Sequence, residues 1–307
     1  MTSAAAPAVD VVIATRDRPD MLRRALAAVD AQDYPGRIYT TVVFDRSLVD
    51  EGLVRDTPHR SVRVTTNLRK PGLAGARNTG ILQGESPFVA FCDDDDEWLP
   101  GKLSTQVGAL AEESVAVLAC TGITVVREGV RTTRLLQRTR VSHSELLRSR
   151  LTELHPSTFL LRRRALEGAL GLVEEQVPHG YGEDYDLLLR AAALSPVVNV
   201  PLAQCLVHWH AQSYYAQRWV AIAEGLEWLL QRHPEIRDDH VGLGRVAGQI
   251  AFANAAAGRR RTGLAWAWRT WRAHPAQPRT YLAVLVAVGV LPADMVVSWL
   301  NRRGRGV

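Results

Sequence analysis

The segment 87–92 (PFVAFC) runs without a break into Asp93-Asp94-Asp95-Asp96. No other feature restricts the fold as much. An apolar run this short reads as a buried strand, and four adjacent carboxylates repel one another unless they reach solvent or a cation. The strand must therefore end at the edge of a sheet. Two earlier runs behave the same way: 10–15 (DVVIAT) stops at Thr15, and 39–44 stops at Asp45-Arg46-Ser47. A further strand is expected over 61–66. Between these runs, Met21, Leu22, Ala25, Leu26 and Val29 recur at helical spacing, which predicts a helix over 20–31 with Asp20 as its N-cap. Pro71-Gly72 breaks the chain before an alanine-rich helix over 73–83. Such alternation specifies an α/β sheet, in which ligands sit beyond the carboxyl ends of the strands. Thr15, Asp45 and Asp93 all stand at strand ends and so converge on one site.

Farther along, Glu97-Trp98-Leu99-Pro100 is expected to open a helix. A strand is expected over 115–126, a charged, turn-rich stretch over 127–140, a helix over 142–150, and extended chain over 155–161. A glycine-led helix follows over 180–193, then closing strands over 197–200 and 205–210. Past Tyr214 the strand signals stop, and helices are expected over 220–232, 241–257 and 262–274. The expected organisation is a disordered tail over 1–9, an α/β catalytic domain over 10–213 and a helical C-terminal extension over 214–307.

Composition narrows the classes. With 307 residues, 47% hydrophobic and 22% charged, the chain can bury a large core, and collagen-like or disordered classes are excluded. Its three cysteines are widely spaced with no C-x-x-C, so neither a disulfide framework nor a zinc site is expected, which points to a reducing, cytoplasmic compartment. The tail lacks the basic start and apolar core of a signal peptide. Net charge is +5, carried by arginine in preference to lysine: Lys70 and Lys102 are the only lysines. Coding bias explains that skew most simply; planar donors for phosphate or anionic lipid are the sharper explanation.

An acid run is more commonly a solvated turn than a site, and an EF-hand is excluded by its missing glycine and terminal glutamate. Delivery by an apolar strand favours a divalent ion held by one or two carboxylates, with substrate phosphates completing its shell. Glu183-Asp184 taken alone reads as a pair complementing a helix dipole. Gly180 and Gly182 suggest close backbone approach at a cleft instead, where a carboxylate can act as general base. His210 suits a metal or a phosphate.

In order, Ala14-Thr15-Arg16, Asp45 with Ser47, the stretch from Gly72 to Gly80 (GLAGARNTG), the acid run with its D-x-D pattern, and Gly182-Glu183-Asp184 resemble family 2 glycosyltransferases over about residues 9–213. The resemblance implies a GT-A fold, a Rossmann-related mixed sheet flanked by helices. It also implies inverting, metal-dependent transfer of a sugar from a nucleotide-diphosphate sugar to an acceptor hydroxyl (glycan, lipid-linked or small molecule, as in cell-envelope glycans). Mn²⁺ or Mg²⁺ would be the cofactor. By analogy Thr15, Asp45, Gly72, Arg77, Asn78, Asp93, Asp94 and Glu183 bind the nucleotide sugar, Asp95 and His210 hold the metal, and Asp184 is the base. The division of roles among Asp93 to Asp96 stays open, because four acids permit more than one register. Phe44 and Arg46 depart from the family's usual acid-rich stretch, which leaves the donor base unassigned.

A nucleotidyltransferase or a non-catalytic nucleotide-sugar or nucleic-acid binder is the rival reading. The first strand lacks a glycine-rich phosphate loop, and the acid run argues against nucleic acid. Finally, 281–291 is apolar but falls short of the roughly 20 residues a spanning helix needs. Tryptophans and arginines surround it, so 276–307 is expected either to dock on the inner face of a membrane without crossing it, or to pack on the catalytic domain with its neighbouring tryptophans as core.

Overall fold

A computed structural model describes residues 6–209 and 218–302, with side chains to 299. The first half follows the expected alternation: β1 (Val9–Thr15), α1 (Pro19–Asp30), β2 (Ile38–Phe44), β3 (Arg55–Asp56), β4 (Arg60–Thr66), α2 (Leu73–Leu82), β5 (Phe88–Phe91), β6 (Glu97–Trp98) and α3 (Lys102–Glu112). Then come β7 (Leu118–Arg127), β8 (Val130–Arg134), β9 (Arg140–Val141), α4 (His143–Arg148), β10 (Leu160–Arg162), α5 (Arg163–Leu166), α6 (Glu183–Leu194) and β11 (Val197–His208). The remainder is helical: α7 (Trp219–Arg232), α8 (Glu235–Asp238), α9 (His240–Ala256), α10 (Arg260–Ala273), α11 (Pro278–Ala287) and α12 (Ala293–Arg302).

The strands form one mixed sheet in the order β3-β4-β2-β1-β5-β10-β7-β11-β6, with β8 on β7 and β9 on β11. Strands β4, β2, β1 and β5 are mutually parallel, and β10 runs antiparallel to both its neighbours. In β1 every residue but Ala14 is buried, as a central parallel strand covered on both faces requires. Leu22, Ala25, Leu26 and Val29 of α1 join the same core as Val9, Val11, Ile13 and Val42. Helix α2 lies close against β1 because it carries Gly80, where a Cβ would sit 2.4 Å from Val12 Cγ1.

Several local expectations are corrected. Asp20 is not the N-cap of α1; the helix starts at Pro19, whose fixed φ suits the first helical position, and Arg18 caps it without a side-chain bond. Glu97-Trp98 is a strand, paired with Cys205 and Leu206, and the helix begins only at Lys102. The stretch 127–140 contains β8, which forms a hairpin with β7. The two closing strands are one, β11, irregular between Val200 and Cys205 where Pro201 interrupts the ladder. Gly180 and Gly182 take positive φ (71° and 94°), so local backbone geometry already accounts for glycine at both positions.

The chain divides into two compact units. The first comprises residues 1–143, 151–175 and 183–210. The second comprises 144–150, 176–182 and 211–307, and so includes two short segments that the sequence reading places in the α/β domain. In the second unit Ala251, Phe252, Ala267, Ala283 and Val296 form the core, with Trp219 edge-on to Phe252 at 5.7 Å.

Candidate active site at the carboxyl edge of the sheet

Strands β2, β1 and β5 are adjacent and parallel, so their carboxyl ends open on one edge. Thr15 stands opposite Phe44, the residue before Asp45, and the Asp45 amide donates to the Thr15 carbonyl at 2.9 Å. Cys92 donates to the Val12 carbonyl at 3.2 Å and delivers Asp93–Asp96 to the same edge. Thr15 Oγ1 donates to Asp94 Oδ2 at 2.7 Å, and Arg18 Nη1 reaches Asp94 Oδ1 at 3.2 Å and Asp95 Oδ2 at 3.0 Å. On the other side of β1, Asp45 Oδ1 accepts from Asn67 Nδ2 at 2.8 Å and from the Gly72 amide at 3.0 Å. Gly72, at φ 124°, opens α2.

Arg77 ties the site together. This fully buried side chain extends from α2 and donates from Nη2 to Asp93 Oδ1 at 2.7 Å and from Nη1 to Glu183 Oε1 at 3.0 Å. Its guanidinium stacks over the Phe91 ring at 5.1 Å. The end of β5 and the first turn of α6 are thus held together by one planar, permanently charged fork, a task for which lysine would not serve. Asp184 follows Glu183, is half-buried, and contributes its own charge to the field on Arg77.

The acid run rests on a turn that leads into β10. Because β10 is antiparallel to β5, its amino-terminal end meets the carboxyl end of β5. Ser157 Oγ accepts the Asp93 amide at 3.1 Å and donates to Asp96 Oδ2, while the Ser157 carbonyl accepts Trp98 Nε1–H at 2.8 Å. His155 Nδ1 lies 3.4 Å from Asp96 Oδ2, and the His208 amide donates to Asp96 Oδ1 at 3.3 Å. One ligand atom each from Asp93, Asp96 and His155 falls within 4.8 Å of the others.

Crowding and burial set the protonation of these groups. Burial, reinforced by Asp95 and Asp93, pushes Asp94 up to about 6 against the opposing Thr15 and Arg18 contacts. Asp96, buried and close to Asp93 and Asp95, is raised well above the carboxylate range. Burial and Asp184 lift Glu183 to about 7 in spite of Arg77. Burial also works against ionisation of Asp45, but bonds from Asn67 and the Gly72 amide and the charge of Arg46 outweigh it and hold that carboxyl below its usual value.

Of the sequence-expected residues, Thr15, Asp45, Gly72, Arg77, Asp93, Asp94, Asp95, Glu183 and Asp184 lie on this edge. Asn78 lies on the same helix, with its amide spent on Val173 and Glu175. His210 lies outside the described residues. Sequence reasoning passed over Arg18, Asp96 as an anchor, and the turn holding His155 and Ser157. The polar His-Pro-Ser-Thr stretch ahead of an apolar run was the available signal, but it gains meaning only once β10 is known to run backwards.

Fold and site define a GT-A-type α/β protein with an acid-rich ligand edge. The model of glycosyl transferase family 2 matches residues 10–169, just over half the chain, and the chain belongs to that family. It is 42% identical over 94 residues to the succinoglycan biosynthesis protein ExoW of Rhizobium meliloti, covering 28% of each chain. It is 32% identical over 104 residues to a GalNAc(5)-diNAcBac-PP-undecaprenol beta-1,3-glucosyltransferase of Campylobacter jejuni, covering 32% of this chain and 33% of that one. These matched stretches span about a third or less of the relatives' own length. Among solved structures, S. aureus TarS 1-349 in complex with UDP-GlcNAc superposes with a TM-score of 0.57 at 17% identity, over 97% of this chain and 92% of that one. The mannosyltransferase PcManGT from Pyrobaculum calidifontis, in complex with GDP-Man and Mn²⁺, gives 0.57 at 16% identity over 97% and 84%. At such identities the likeness is one of fold.

Proposed function

We propose that this chain transfers a hexosyl group from a nucleoside diphosphate sugar to an acceptor hydroxyl, with inversion at the anomeric carbon. The observation that carries the reading is the Arg77 bridge, which holds acids suited to a cation and a candidate base on one edge of one sheet although 106 residues separate Arg77 from Glu183. Asp184 takes the acceptor proton as the hydroxyl oxygen forms its bond to the anomeric carbon. The bond from that carbon to the diphosphate breaks, and the electron pair leaves with the nucleoside diphosphate. Arg77, buried and doubly paired, positions Asp93 and Glu183 and does not itself enter the reaction.

The donor set fits a divalent cation. Asp93 and Asp95 offer hard carboxylate oxygens and are about a quarter exposed (23% and 26%), whereas Asp94 and Asp96 face inward and hold the run in place. Mn²⁺ or Mg²⁺ held by Asp93 and Asp95 would offset charge developing on the leaving diphosphate. Thr15, Asp45 and Gly72 line the part of the edge assigned to the nucleotide. The undecaprenol-linked acceptor named for the Campylobacter relative and the Mn²⁺ and GDP-mannose named for the Pyrobaculum structure support a lipid-linked acceptor and a metal-dependent reaction.

Purified protein incubated with labelled UDP-glucose, UDP-GlcNAc or GDP-mannose and an undecaprenyl-diphosphate-linked sugar is expected to give metal-dependent product. Asp184→Asn is expected to bind donor but turn over slowly. Wild-type turnover by Asp184→Asn would remove that residue from the role of base, and full activity in EDTA would remove the metal.

A further inference from the structure

The helical unit has a surface that none of the transfer chemistry uses. On α10, Leu264, Trp268 and Trp271 recur at i, i+4 and i+7, one face of a helix, and all three are exposed (Trp268 58%, Trp271 42%). The two indoles stack in the open, with centroids 5.1 Å apart and planes 18° from parallel. Trp266, two residues earlier, behaves as core: it is half-buried, its Nε1–H donates to Glu227 at 3.1 Å, and Arg269 covers its ring at 4.7 Å. The expectation that the tryptophans of this region either pack inward or face a membrane thus divides residue by residue. The neighbouring helices repeat the pattern. Tyr281 and Val288 are exposed on and just after α11, and Met295 and Trp299 are exposed one turn apart on α12.

Charge is as lopsided as hydropathy. From Arg259 to the end of the chain the sequence holds nine arginines and one acid, Asp294. Arg261 and Arg272 fall on the same face of α10 as Trp268, at seven residues before and four after. Among the described residues no acid pairs with either, and both are exposed. Large apolar side chains left in water are costly in a surface patch. Tryptophan and tyrosine flanked by arginine suit the headgroup boundary of an anionic bilayer, where apolar burial and electrostatic attraction add. Among the described residues no helix is long and apolar enough to cross a membrane, which leaves docking in the plane of the interface.

We propose that α10, through Leu264, Trp268 and Trp271 with Arg261 and Arg272, docks on an anionic lipid surface, and that the exposed apolar residues of α11 and α12 extend the contact. The occupant is a lipid surface and not a second copy of the chain, because two copies meeting here would bring unpaired arginines against unpaired arginines. The inference moves the expected membrane segment upstream, from 276–307 to a face centred on α10.

The test is flotation of the full chain with vesicles of phosphatidylcholine alone or with 30% phosphatidylglycerol, with indole quenching by brominated lipid as a second readout. Wild-type protein is expected to float with the anionic vesicles, to release by on the order of tenfold or more as salt rises from low to physiological levels, and to show quenching. Trp268→Ser/Trp271→Ser and Arg261→Gln/Arg272→Gln, all at exposed positions, are each expected to keep the wild-type Tm and to lose at least about tenfold in partitioning. Absence of flotation with anionic vesicles at either salt would overturn the proposal. So would flotation unchanged in both double variants, or concentration-dependent dimerisation abolished by the tryptophan pair in protein that binds no lipid.

Discussion

The α/β unit and the helical unit each put some of their arginines to a use that the other does not. In the first, several arginines are drawn inward and paired with carboxylates. Arg77 bridges Asp93 and Glu183, and Arg163 donates to Asp10 at 2.7 Å and to the Ser86 and Ile81 carbonyls at 2.7 and 2.8 Å. Arg190 pairs with the buried Asp186 at 2.8 Å. In the second unit, Arg260, Arg261 and Arg272 are exposed beside exposed indoles. A buried cation requires a carboxylate and filled hydrogen-bond positions, because its lost hydration must be replaced. An exposed one needs no partner within the chain and remains available to something outside it. The same residue type therefore serves as an internal brace in one unit and as a contact group in the other.

The sharpest way to break this contrast is at Arg77. Arg77→Met leaves Asp93 and Glu183 facing each other without their shared cation, and a loss of about 3–5 kcal/mol in unfolding free energy is expected. Donor turnover should fall below detection. Chemical denaturation and a donor assay on the same preparation measure both. Asp184→Asn should separate chemistry from stability: a decrease in kcat of about 10²–10⁴-fold is expected for loss of a general base. Its Tm should fall much less than that of Arg77→Met, since the Arg77 bonds to Asp93 and Glu183 remain in place. An equal loss of both would make it a structural residue.

Lys102 is the exception within the α/β unit, a buried cation with no carboxylate. Among the described residues its Nζ has no hydrogen-bond partner, and it lies 3.7 Å over the Trp98 ring. Burial lowers it to about 8, below the 10.5 of an exposed lysine. Below pH 8 it is charged in both folded and unfolded chains, and the cost of burying charge is fully present. Between about 8 and 10.5 the unfolded chain still holds a proton that the folded chain has lost, so this contribution favours folding increasingly as pH rises. Lys102→Met should therefore stabilise the protein by about 2–3 kcal/mol at pH 7, before the opposing loss of the Trp98 contact. That advantage should shrink towards pH 10.5. The comparison with wild type at each pH is needed because Cys92 and Cys205, raised by burial, contribute the opposite slope. An advantage constant with pH would show that Lys102 titrates alike in the folded and unfolded chains. The smallest effect is expected in the helical unit: Trp268→Ser should alter unfolding free energy by no more than about 0.5 kcal/mol, as for other exposed positions. A larger loss, read by thermal melting, would place that indole in a packed contact.

Much of the edge was legible from local pattern. A strand of period-two or continuous apolar character must stop where charge begins, so Thr15, Asp45 and Asp93 declared themselves as strand ends. The G-x-x-x-A-R-N stretch carried both the glycine at φ 124° that opens α2 and the arginine that braces the site. Other features had no local mark. Glu97-Trp98 looks like the start of a helix, and becomes a strand only because Cys205 and Leu206 offer it an edge. The weight of Ser157 and His155 depended on the direction of β10. Burial separated the tryptophans of α10, which share one composition and nearly one position.

By itself, then, the sequence determined most of the strands and helices, that the carboxyl ends of the first strands carry acids, and that a basic, aromatic, helical stretch follows. These properties are local, since backbone propensity and hydrophobic period act over a few residues. Tertiary structure alone decided that one arginine would join acids 16 residues and 106 residues away, which of four aspartates face inward, and which indoles stay in water. Pairing of that kind depends on strand order and direction, and desolvation depends on everything packed around a group. Neither is encoded in any one stretch of chain.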